Sequence, residues 1–308
     1  MINRRNIRVK VMQTLYTMVA LETETRPGDA VKILQKHFEQ TRQLFIYLTY
    51  FLSEVANYAQ VDAHSRASKH LPTYNDLHVN IKLTGNEILS KIREDASFNE
   101  FAGKDKPELL SDKELVKKIY HELVETNEYK NYISGARREK KEDREILEFI
   151  LDKLLLGKEI FLSHIEENFS NWDDDGEMVI QLLVNYLLKP GTYNFKEMIS
   201  DEKWDFAKTL LMTVREKSEH LESFIIPKLK NWDPERIALL DMILMKMGVA
   251  EFLYFETIPP KVTINEYIDL AKEYSTVQSG QFVNGILDNI HKELVQQGKM
   301  HKVDFRKT

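Results

Sequence analysis

The stretch from about residue 29 to 70 is the strongest constraint on the fold. Val31, Leu34, Phe38, Phe45, Leu48, Leu52 and Val55 recur every three or four residues, the period of an α-helix and not of a strand. A helix of that length carrying one apolar stripe has to bury it against other elements, so helices packed on helices are expected. The same spacing returns along most of the chain. Eleven Gly and eight Pro among 308 residues supply few turns for a β architecture. The chain reads as all-α, with roughly ten helices, no convincing strand and no exact internal repeat.

Local signals place the elements. A first helix is expected over 4–21 with Asn3 as its cap, followed by a break at Thr25-Arg26-Pro27-Gly28. Capping boxes at Thr84/Glu87, Ser111/Glu114 and Thr263/Glu266 open later helices. Pro190-Gly191 stops a helix over 176–188, and another runs over 201–229. Asp233 caps a further helix with Pro234 at its first position. The charges of Gly135 to Glu145 nearly cancel, which predicts a solvated helix start. Ser279 is expected to cap the last helix, with Gly285 lying inside it where a missing side chain permits close packing.

Composition excludes several kinds of chemistry. There is no Cys, hence no disulfide scaffold, thiolate nucleophile or Cys-ligated metal. The histidines fall at no metal-ligand spacing, and no phosphate-cradling glycine pattern or nucleophile elbow is present. Asp173, Asp175 and Gly176 fall at calcium-loop positions, but Asn171 stands at the first place and Leu182 replaces the bidentate acid at the last. No enzyme, cofactor or metal is therefore expected. No apolar stretch approaches the roughly 18–20 residues of a membrane span, and the N-terminus lacks a secretory h-region, so a cytoplasmic protein is expected.

The net charge is −6, yet Arg4, Arg5, Arg8 and Lys10 precede the first acid, Glu22. Arginines in the first turns of a helix oppose its macrodipole, typically at a few tenths to about 1 kcal/mol each. Either they form a solvated basic terminus or they serve a polyanion.

Residues 259–290 carry the most specific pattern. Pro259 to Glu266 reads P-x-K-V-x-I-N-E, Leu270 to Lys272 reads L-A-K, and Phe282 to Asp288 reads F-V-N-G-I-L-D. Together with Trp232, Arg236, Asp241 and Glu251 upstream, and Arg4, Arg5, Arg8, Gln13, Leu15 and Tyr16 at the start, this closely resembles the NusB family of transcription antitermination factors. The resemblance implies a multi-helix, non-enzymatic, RNA-binding protein. Such a protein pairs with NusE, a ribosomal small-subunit protein, and binds boxA-like single-stranded RNA in ribosomal RNA operon transcripts. It acts on the RNA polymerase elongation complex indirectly.

By the same resemblance, Arg4, Arg5, Arg8 and Phe282 match RNA-contacting positions, and Tyr16 and Asp241 fall on the NusE face. Read as residues, Tyr16 and Phe282 are equally compatible with a packed core. Asn6 interrupts the arginine cluster. Most members are about half this long, so three segments are expected: 1–24 as the first family helix, 25–195 as a folded helical insertion, and 196–308 as the family's C-terminal helices. Only a short stretch follows Ile290, too short for the catalytic domain that some ribosomal RNA methyltransferases carry there. A protein-only scaffold that binds NusE or polymerase components without RNA is the other reading of the same residues.

Overall fold

A computed structural model describes residues 2–20, 28–135, 139–229 and 237–303. Among them there are fifteen α-helices and no strand. In chain order they are α1 (Arg4–Ala20), α2 (Asp29–Ala67), α3 (Tyr74–Leu77), α4 (Glu87–Glu94), α5 (Ala96–Asp105), α6 (Lys113–Glu125), α7 (Asn127–Ser134) and α8 (Lys140–Phe149). There follow α9 (Glu159–Asn168), α10 (Trp172–Leu188), α11 (Asp201–Glu216), α12 (Ser218–Ile225), α13 (Leu239–Tyr254), α14 (Pro260–Tyr274) and α15 (Val277–Gln296).

The helices outnumber the expected ten because several long patterns are broken by caps. Thr126 accepts from Tyr129 N and divides one expected helix into α6 and α7. The expected 201–229 helix ends at Glu216, and α12 starts two residues later. Phe149 leads from α8 into a π-helical stretch, Ile150–Leu155. Asp233 and Pro234, with Trp232 and Arg236, lie outside the described residues, as do residues 21–27 and 136–138.

The chain forms two compact units, Glu39–Met198 and Ile2–Phe38 with Ile199–Thr308. In the first, α2 is buried on nearly every side from Leu44 to Ser53, as a central helix is. Its Phe45, Phe51 and Tyr58 rings meet Tyr186, Phe161 and Tyr120, from α10, α9 and α6. Asp143 corrects the expectation of a solvated charge run. It is buried, accepting from the Tyr132 hydroxyl at 2.6 Å and Glu87 N at 2.8 Å, while its backbone oxygen accepts from Asn86. One carboxylate thus ties α4, α7 and α8 together, because a buried charge is stable only with its acceptor sites filled.

In the second unit α13 is the central helix and contacts α1, α11, α12, α14 and α15. Gly248 lets α15 approach: an added Cβ would lie 2.9 Å from both Leu287 methyls. Gly285 lies within α15 as expected, but an added Cβ there would meet nothing within 4 Å. The glycine at the contact between α13 and α15 is therefore Gly248, on the opposing helix.

Two caps at 259–290 also differ from expectation. Helix α14 starts at Pro260, leaving Thr263 inside it, fully buried. Helix α15 is capped by Thr276, which accepts from Ser279 N at 3.0 Å.

Candidate functional site

Asn3 caps α1 as the sequence suggests, its Oδ1 accepting from Asn6 N at 2.8 Å. The arginines that follow all point toward acids on other helices. Arg4 donates to Glu202 of α11 at 2.9 Å and lies over the Phe206 ring. Arg5 donates to Glu273 at 2.7 Å, with Glu266 and Asp269 about as near as 4.0 Å. Those three acids sit at i, i+3 and i+7 on α14 and form one carboxylate stripe. Cations opposed to the helix dipole are thereby compensated by tertiary partners. Arg4 and Arg5 keep 42% and 36% of their side-chain surface exposed.

Arg8 has a different role. Its side chain is 2% exposed, and Nε and Nη2 donate to the two oxygens of Glu251 at 2.7 and 3.1 Å. Glu251 is fully buried and also accepts from the hydroxyls of Thr263 and Tyr267, both at 2.8 Å. Burial, and then the Glu251 charge, hold the Tyr267 phenol well above its ordinary pKa, so it stays a neutral donor. This network joins α1, α13 and α14, and in it Arg8 offers no charge to a ligand. Its signal in the sequence was Glu251 itself, an acid in the apolar run Met247 to Tyr254, which requires a buried partner.

Tyr16 is 46% exposed and lines a cleft of about 480 Å³ with Met12, Thr17, Leu239, Leu240 and Ser275. Asp241, adjacent to Leu240, is 5% exposed and accepts from Ser279 Oγ at 2.8 Å. It stands behind the cleft and fixes the start of α15 rather than presenting a charge. Phe282 is half-buried on a face of α15 whose other members, Gln278, Gly285 and Asn289, are exposed. No helix among the described residues is long and apolar enough to cross a membrane, and no group of three or more His, Asp or Glu is placed to hold a metal ion.

The NusB family model matches residues 165–292, from the end of α9 nearly to the end of α15. A transcription antitermination protein NusB of Methylacidiphilum infernorum is 36% identical over 127 residues, which cover 38% of this chain and 87% of that protein. The chain belongs to the NusB family. A second relative of the same name, from Salinibacter ruber, is 39% identical over 42% of this chain and 76% of its own length. That of Chloroherpeton thalassium is 39% identical over 35% of this chain, which spans about half (51%) of that relative. No solved structure matches the chain. Helix α1 lies outside the NusB match, so its arginines stand on their own geometry.

Proposed function

We propose that the chain is a non-catalytic transcription antitermination adaptor that pairs with NusE and binds boxA-like single-stranded RNA. The reading is supported chiefly by its likeness to proteins named transcription antitermination protein NusB. The exposed cleft at Tyr16 suits a protein partner, being apolar and open with an aromatic side chain at its edge. RNA would engage the exposed guanidinium groups of Arg4 and Arg5, with Phe282 offering a face for base stacking. Arg8 contributes by holding α1 in place.

The test is binding of the purified chain to boxA-containing leader RNA with and without NusE, across a salt series. The double variant Arg4→Ala/Arg5→Ala is expected to reduce the log–log salt slope by about 1.4, at about 0.7 per phosphate contact. An unchanged slope overturns the assignment of RNA contact to α1. Tyr16→Ala is expected to weaken NusE pairing while leaving the fold intact.

One observation favours the second reading, a protein-only scaffold. Arg4, Arg5 and Arg8 are all engaged by carboxylates, which an RNA would have to displace at the first two. NusE pairing without any RNA affinity is the outcome that selects it.

A further inference from the structure

The unit formed by residues 39–198 has a cleft of its own, of about 270 Å³. Its walls come from the first half of α2, the corner after α5, and the turn between α9 and α10. Beneath it the polar groups are firmly held. Arg42 makes two hydrogen bonds of 3.1 Å to Asp105. Asp175, buried, accepts from Thr41 and Asn171 at 2.7 and 2.6 Å. The Tyr47 hydroxyl lies 2.5 Å from His164 Nε2. Such a floor is preformed, as binding sites usually are.

The rim differs from the floor. Gln40 and Gln43 face the cleft with no hydrogen-bond partner for either amide among the described residues. Leu109 and Leu110 stand at its edge, 75% and 38% exposed. They are held out by a tight corner at Lys106, the one non-glycine residue with positive φ (49°) among the described residues. The adjoining segments are acidic on balance: Glu108, Asp112, Glu166, Glu167, Asp173 and Asp174, against Lys106 and Lys113, with Lys104 paired to Glu100 and Arg42 to Asp105.

We infer that this cleft docks a basic segment of a partner protein, one that places an apolar side chain on Leu109 and Leu110. The two glutamine amides would bond its backbone, and the acidic rim would attract its Lys and Arg residues. Apolar anchors surrounded by complementary charge are how such segments are held and steered. The same acids repel nucleic acid, so the occupant is a polypeptide and not RNA. This inference goes beyond the adaptor reading and does not depend on the arginines of α1.

The test uses the full chain and a fluorescein-labelled peptide of Lys and Arg around one central Leu, measured by fluorescence anisotropy. Comparison arms are the same peptide with Ala for Leu, an acidic counterpart, and oligouridylate as competitor. Leu109→Ala, Gln43→Ala and Glu166→Gln/Glu167→Gln are each expected to weaken the basic peptide by at least about fivefold, the size of an ordinary interface hot spot. These positions are exposed or half-buried, so circular dichroism should match the parent. A benzophenone in place of the peptide Leu should cross-link to residues 105–112. Equal binding of the Ala peptide, indifference to Leu109→Ala, competition by oligouridylate at the cleft, or no binding at all would each overturn the inference.

Discussion

Arg8 and Glu251 meet as a two-pronged buried ion pair between residues 243 positions apart in the chain. Removing one partner leaves the other charged and dry, which typically costs about 3–5 kcal/mol. Arg8→Ala and Glu251→Ala should each lower the protection of α13 amides in hydrogen exchange by that amount. The double variant Arg8→Met/Glu251→Met should lose less than either single, because no charge is stranded. Single variants with parental protection would show that the pair contributes nothing net.

The glycines of the second unit are expected to behave in opposite ways. Gly248→Ala forces a methyl to 2.9 Å from Leu287 and should cost about 1–3 kcal/mol through overpacking. Gly285→Ala adds a methyl in open space and should gain up to about 1 kcal/mol from helix propensity. Thermal unfolding of the two variants gives the comparison. A stabilised Gly248→Ala would refute the close approach of α15 to α13.

Lys106 is held in the left-handed region, where an L-residue typically pays about 1–2 kcal/mol. Glycine removes that strain but loses about 0.5–1 kcal/mol more chain entropy on folding. Lys106→Gly should therefore stabilise the chain by up to about 1 kcal/mol, visible as a raised urea midpoint.

Lys302 gives a pH dependence. Its ammonium donates to the backbone oxygens of Glu251 and Phe255, both at 2.7 Å, and so caps the C-terminal end of α13. Burial pushes its pKa down from 10.5 to about 8, against the opposing pull of Glu251 and Glu256. Between pH 8 and 10.5 the unfolded chain therefore holds this proton more tightly than the folded one. The Lys302 contribution to stability then improves as pH rises through that window. An NMR titration of the lysine ε-carbons should find one midpoint near 8, abolished in Lys302→Met.

The helical class was legible because apolar spacing survives any packing arrangement, as at Leu44 to Ala59. Caps were legible only to within a few residues. Asp112 caps where Ser111 was expected, and Asn86 where Thr84 was, since neighbouring short polar side chains compete for the same free N–H groups. Thr263 had the right sequence for a cap but is taken by Glu251. The duty of Arg8 was hidden for a related reason. A charge near a chain end looks solvated until its distant partner is known, and only Glu251 in its apolar surroundings hinted at one.

The separation of Arg8 from Glu251 sets an order of events during synthesis. At roughly 5–20 residues per second, Arg8 is added to the chain about 12–50 seconds before its partner carboxylate. For that interval the apolar face of α1 and its arginine have no α13 to close on, while everything needed for the 39–198 unit has already emerged. The middle of the chain is thus the part able to fold first, while α1 waits for the helix that closes on it.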